Sequence, residues 1–303
     1  MRVTDDQLEH WRTHGYVVVE NFLSADEVDA ALEEVAAYYP DWDEYAAHRP
    51  RYRHLGERGG GGARFPYQGG ALSLISVHPD LIDFAERALG VRDVFLTQSG
   101  VSAKYAGTRD FDQPLHFDYG NNSLLVPRPE GRWHQTGTII YLNGVDLDHG
   151  PTYVSPGSWR GADLHWSQQH PEWPTSRTQE EKPEYYERQL PVCAGPGAAL
   201  LYSQNTLHRG SRFLADQGVR FAQHIVYRAA GNEWMGFTAF PRDGHDPAMA
   251  TFMVSATPRQ REAIGVPGPG HPYWTEETIS GVAARYPGID MKPYTLALEE
   301  AAG

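Results

Sequence analysis

The 303-residue chain has a single cysteine, Cys193. One thiol excludes an intramolecular disulfide, and it excludes any zinc or iron–sulfur site built from several cysteines. Positive charge is also short, with 26 Lys and Arg against 39 Asp and Glu and a formal net charge of −13. Without a basic surplus to neutralise phosphates, no nucleic-acid partner is expected, and no polybasic membrane-surface role. No apolar run approaches the ~20 residues that a membrane-spanning helix needs. The start Met1-Arg2-Val3-Thr4-Asp5-Asp6 carries no apolar targeting segment. The expectation is a protein of a reduced, cytoplasmic compartment. What the chain does have is 14 histidines, 17 tyrosines and 8 tryptophans. Its length is ample for a core that folds without a metal or disulfide staple.

The first forty residues read as helix, strand, helix. Thr4 and Gln7 stand at capping-box spacing, and the helix they open stops at Gly15. Tyr16-Val17-Val18-Val19 is β-branched and reads as a strand. Ser24 with Glu27 caps a second helix with the stripe Val28, Ala31, Leu32 and Val35. From 38 to 70 the pattern dissolves into Arg, Tyr, Gly and Pro, and Gly59-Gly60-Gly61-Gly62, with no Lys-Ser/Thr after it, reads as a flexible surface loop and not as a phosphate loop. A helix returns over 80–89, between Pro79 and Gly90.

Residues 91–228 are β-rich, with short apolar runs at 94–96, 101–105, 138–142, 152–154, 198–202 and 221–227. Turn clusters punctuate them, as in an antiparallel sandwich or barrel. The polar stretch 160–189 reads as an insertion between strands, and 229–303 as an irregular cover ending in one helical piece over 276–286. One domain is expected over 1–303, with 1–90 as helical support.

Two His and one carboxylate on strands can occupy one face of an octahedral iron site. Residues i and i+2 of a strand point the same way, so His-x-Asp supplies two ligands to one face. Chance alone gives about one His-x-Asp in a chain of this composition, and two occur. In His78-Pro79-Asp80 the proline starts a helix, which removes the parallel aim of a strand. His116-Phe117-Asp118, in Gln113-Pro114-Leu115-His116-Phe117-Asp118-Tyr119, can be a strand entering a turn. The candidate third ligand is His208, after the apolar strand and polar turn of 200–207. Arg220 opens the apolar run that follows, and an arginine there needs an anionic partner such as a bound carboxylate.

In order, His116 and Asp118, His149-Gly150-Pro151 leading to Pro156-Gly157-Ser158, then His208 and Arg220 resemble the phytanoyl-CoA dioxygenase superfamily of Fe(II)- and 2-oxoglutarate-dependent oxygenases. The likeness begins at His14-Gly15-Tyr16 and runs to Tyr227. It implies a mainly β fold with flanking helices: a double-stranded β-helix, the distorted, cupin-like jelly roll. It implies Fe(II) on His116, Asp118 and His208, with 2-oxoglutarate and O2 as cosubstrates and Arg220 on the far carboxylate of 2-oxoglutarate. Lys104, Gln98 and Thr138 resemble positions near cosubstrate or substrate. The chain departs from the family at Trp159, where histidine usually follows Pro-Gly-Ser, and in the slightly long spacing of 12 from His208 to Arg220.

The chemistry so implied is hydroxylation, desaturation, epoxidation or rearrangement of a small organic molecule, such as one of secondary metabolism. Related halogenases lack the carboxylate, so Asp118 favours oxygenation. Trp133, Trp159, Trp234 and Tyr273 are candidates for the substrate pocket. Two alternatives stay open: a cupin-like iron oxygenase that uses no 2-oxoglutarate, and a catalytically silent jelly-roll binding protein.

Overall fold

The computed structural model describes residues 1–56, 62–108, 111–118, 131–158, 183–232 and 247–302. Helix α1 (Asp5–His14) opens on a reciprocal Thr4–Gln7 capping box and closes at Gly15, whose φ of 82° suits glycine. Strand β1 (Tyr16–Val19) follows, and α2 (Ala25–Val35) opens on a Ser24–Glu27 box. These three elements are the ones the sequence predicted. Between 38 and 70, where the sequence shows no pattern, the structure has regular elements, while most of Gly59-Gly60-Gly61-Gly62 lies outside the described residues. Helix α3 (Trp42–Ala47) starts at the Asp41 side chain, and strand β2 (Ala63–Arg64) pairs with a longer strand downstream.

Helix α4 (Ala71–Ser76) begins at Gly70, which has no side chain to satisfy the first N–H groups. Glu34 of α2 does so from a distance, accepting from the backbone N–H of Gly69, Gly70 and Leu72 at 2.6, 3.2 and 2.9 Å. Glu34 is buried at 8% exposure, so these bonds tie α2 to α4 where water barely competes. Glu34→Ala is expected to destabilise the fold by about 2–3 kcal/mol, the range for charge-assisted bonds and lost caps. Urea unfolding checks this: the midpoint should fall with little change in slope.

Helix α5 (Pro79–Leu89) has His78 as its N-cap, and His78 Nδ1 accepts from Asp80 N–H at 3.1 Å. Its Nε2 faces Glu27 at 3.3 Å. The first His-x-Asp is therefore spent on a helix start.

The remaining strands are β3 (Val94–Tyr105), β4 (Gln135–Tyr141), β5 (Thr152–Val154), β6 (Leu190–Val192), β7 (Ala198–Ser203), β8 (His208–Gly210) and β9 (Val219–Ala229). Six form an antiparallel sheet in the order β1-β7-β4-β9-β3-β2, and three form a second sheet, β6-β5-β8. A single antiparallel bridge between His116 and His208 adds the 111–118 segment beside β8. The two runs expected at 94–96 and 101–105 are one strand with an irregularity between Leu96 and Gln98. A 12-residue strand with a bulge bends without ending.

Alternation along these strands separates two cores. Ile140, Leu201 and Ile225 face the helices, where they pack with Phe22, Leu81 and Phe84. Ile139, Tyr141, Leu200 and Ala222 face inward and meet Val154 and Val192 of the smaller sheet. The chain is thus a mainly antiparallel jelly roll with flanking helices, as the resemblance implied.

The C-terminal segment is more helical than expected. Helices span Pro247–Ser255, Pro258–Glu262, Glu276–Arg285 and Lys292–Ala302. Their Met249, Phe252, Met253 and Tyr286 join the helix-side core, with Phe252 edge-on to Phe65 at 4.8 Å. They brace the back of the large sheet. Most of the expected insertion, 160–182, lies outside the described residues, and its end forms the helix Pro183–Glu187. Among the described residues no helix is long and apolar enough to cross a membrane.

Candidate active site

His116 and His208 are direct partners in the bridge at the β8 edge of the second sheet. Their backbones exchange both hydrogen bonds, at 2.9 and 3.1 Å, which sends the two side chains to the same face. The backbone N–H of Asp118 donates to Gln204 O at 3.1 Å, which turns its carboxylate inward. Ligand atoms of His116, Asp118 and His208 all lie within 4.8 Å of one another.

Each imidazole is oriented by its own backbone. Nδ1 of His116 donates to Pro114 O and Nδ1 of His208 to Thr206 O, both at 2.9 Å. A carbonyl can only accept, so Nδ1 carries a proton in both rings and Nε2 is turned to the site. Nε2 of His116 lies 3.6 Å from Asp118 Oδ1, and Nε2 of His208 lies 3.2 Å from Oδ2. Tyr202 at the end of β7 donates its hydroxyl to Oδ2 at 3.1 Å.

Burial pulls the pKa of His116 down, helped by neighbouring His208. Burial acts on His208 the same way, but the Asp118 carboxylate outweighs it and raises the pKa. Desolvation would raise Asp118, yet His208, His116 and Tyr202 hold its carboxyl well below the usual range. The site therefore keeps an ionised carboxylate beside His208, where a divalent cation can replace the imidazole proton. Two nitrogens and one oxygen in this arrangement fit a transition metal with open positions.

The segments behind the triad follow the sequence motifs. Ser158 of Pro156-Gly157-Ser158 accepts from the backbone N–H of Leu207 at 2.9 Å, holding the residue next to His208. Gly150 adopts φ +66°, and a Cβ there would sit 2.9 Å from Lys104 Nζ. Its carbonyl accepts from Arg220 Nη1 at 2.5 Å.

A cavity of about 230 Å³ runs from the triad to Arg220 and Lys104. Lys104 and Arg220 are direct partners across β3 and β9, and they are 6% and 8% exposed. Lys104 Nζ donates to Ser211 O, just past the end of the strand that His208 opens. Asp118 is the one carboxylate among the described residues that line this cavity. Two buried cations there make the far end suited to an anion.

The other sequence candidates among the described residues are not in the cavity lining. Thr138 alternates with Ile139 and so faces the helices, away from the lining. Gln98 lies on the inward face of β3, yet it is not among the lining residues. Trp133 sits in the turn Gly131–Trp133 under the Arg132 guanidinium, outside the lining. Tyr273 is 48% exposed among the C-terminal helices, against Trp274. Trp159 and Trp234 lie outside the described residues.

Sequence reasoning missed Tyr202, Ser102 and His224. Ser102 and His224 line the cavity and lie 3.2 Å apart, Oγ to Nε2. Period-2 counting from Lys104 and Arg220 would have found them, since 102 and 224 share the inward face.

Several solved structures have this fold. The carbocyclase SnoK from nogalamycin biosynthesis aligns at 18% identity and TM-score 0.53, covering 80% of this chain and 89% of its own. EctD from S. alaskensis, solved with 2-oxoglutarate and 5-hydroxyectoine, aligns at 20% and 0.54, covering 76% and 78%. HygX from Streptomyces hygroscopicus, with nickel and 2-oxoglutarate bound, aligns at 14% and 0.53, covering 78% and 89%. No curated protein sequence matches. The sequence profile of the phytanoyl-CoA dioxygenase family matches residues 11–222, which hold the triad, both buried cations and every strand but most of β9. The chain belongs to the phytanoyl-CoA dioxygenase family.

Proposed function

We propose that the protein is an Fe(II)- and 2-oxoglutarate-dependent oxygenase that oxidises a C–H bond of a small organic molecule. The observation that carries this reading is one cavity joining a His/Asp/His donor set to a buried pair of cations. His116, Asp118 and His208 would hold the metal on one side and leave positions open toward the cavity. Bound there, iron(II) with 2-oxoglutarate and O2 supplies the oxidising power for attack on a C–H bond.

The rest is supplied by the chain. Arg220 offers a planar fork to the far carboxylate of the cosubstrate, already steered by its bond to Gly150 O. Lys104 adds a second positive charge beside it. Gly150, with no Cβ, leaves room for Lys104 Nζ, which a Cβ there would meet at 2.9 Å. The shared fold of the carbocyclase SnoK and of EctD, solved with 5-hydroxyectoine, supports a small-molecule substrate.

Metal removal tests the reading. Protein stripped by a chelator should not convert 2-oxoglutarate to succinate, and Fe(II) should restore O2-dependent conversion where Zn(II) does not. Conversion that survives chelation, or that Fe(II) fails to restore, would contradict it.

A further inference from the structure

Tyr202 is 4% exposed, and its hydroxyl reaches Asp118 Oδ2 at 3.1 Å. The same oxygen faces His208 Nε2 at 3.2 Å, whereas Oδ1 lies 3.6 Å from His116 Nε2. The ring packs edge-on to His208, with centroids 4.8 Å apart. One side chain thus touches two members of the triad.

What allows this is a missing side chain on the neighbouring strand. Gly137 of β4 is the direct partner of Tyr202 on β7. A Cβ at 137 would lie 2.5 Å from Cζ and 2.6 Å from Cε1 of Tyr202, and 2.4 Å from Gln204 Nε2. Contacts that close do not occur, so the ring rests on bare backbone. Glycine inside a strand weakens it and marks a place where another group must approach closely. Both flanking pairs, Gly137 with Tyr202 and Gly137 with Val226, are regular, so no bulge accounts for it. The space is taken by the phenol ring that meets the carboxylate.

We propose that Tyr202, seated on Gly137, is a positioning residue that holds the Asp118 carboxylate in one orientation by binding Oδ2, so that Oδ1 is the oxygen left for a metal ion. This rests on the metal-site reading above. A carboxylate held at one oxygen cannot rotate to take a second metal position, so a position stays open for the cosubstrate. Outer partners of metal ligands that orient them in this way typically change affinity 10–100-fold when removed.

The test is anaerobic Fe(II) titration of the full chain, with the absorption spectrum of the Co(II)-loaded protein as a second readout. Tyr202→Phe removes only the hydroxyl. It should weaken Fe(II) binding at least ~10-fold, change the Co(II) d–d bands and leave the thermal midpoint near the parent's. Gly137→Ala should push the ring off its seat and weaken Fe(II) binding comparably. Placed in the Tyr202→Phe background it should add little, because both changes break one contact. Parental Fe(II) affinity and Co(II) bands in Tyr202→Phe would overturn the proposal while leaving the triad intact. Failure of the parent itself to bind Fe(II) would overturn both the proposal and the metal site.

Discussion

With His208 replaced by alanine, Fe(II) affinity is expected to fall more than ~100-fold, and succinate formation from 2-oxoglutarate to drop to background. Losing an outer partner of a ligand already costs 10–100-fold, so losing a ligand sets the larger effect. Nε2 of His208 also faces Asp118 Oδ2, at 3.2 Å. Its removal leaves that carboxylate held by Tyr202 and faced by His116. The backbone pair between His116 and His208 does not depend on either side chain, so the fold should persist. Circular dichroism alongside metal titration separates lost ligation from lost structure. His116→Ala should behave alike, and parental iron binding in either variant would mean the site is misplaced.

Arg220→Ala carries the second large effect. Charge-assisted hydrogen bonds contribute about 1.5–3 kcal/mol each, so losing the fork should weaken 2-oxoglutarate binding by roughly 10- to 100-fold. Fe(II) affinity should hold, because Arg220 supplies none of the three ligand atoms and its Nη1 bonds Gly150 O. Arg220→Lys should fall between the parent and Arg220→Ala, since it keeps the charge and loses the planar geometry. The KM for 2-oxoglutarate, measured with Fe(II) saturating, checks this. An unchanged KM would place the far carboxylate of the cosubstrate elsewhere.

The legible parts of this fold were those whose signals are local. The capping boxes at Thr4 and Ser24 and the glycine at 15 fix α1 and α2 within a turn of themselves. The same signals were overlooked near the C-terminus. Pro258 stands in the first turn of a helix capped by Thr257 and Gln260, so a proline read as irregular in fact starts a helix. Strands β6 and β8 span three residues each, and β8 reads His-Arg-Gly. No hydrophobic alternation fits in three residues; pairing with β5 makes them strands.

The site divides in the same way. His116, Asp118, His208 and Arg220 follow from order along the chain, and the structure gathers all four around one cavity. His78-Pro79-Asp80 separates from it by local chemistry, as a helix cap. Thr138 failed because a one-residue difference in phase sends a side chain to the opposite face of a sheet. Tyr202 and Gly137 were illegible for a different reason. Their partnership crosses strands 65 positions apart and appears only once the register is known.

The central claim is that one cavity seats a metal at its His/Asp/His end and an anionic cosubstrate at its cationic end. A crystal structure of the protein loaded anaerobically with Mn(II) and 2-oxoglutarate, with the metal located by anomalous scattering, tests this most directly. The metal peak is expected on His116 Nε2, His208 Nε2 and an Asp118 oxygen, with the far carboxylate of 2-oxoglutarate on Arg220. A metal bound away from these three side chains, or a cosubstrate whose far carboxylate does not meet Arg220, would contradict it.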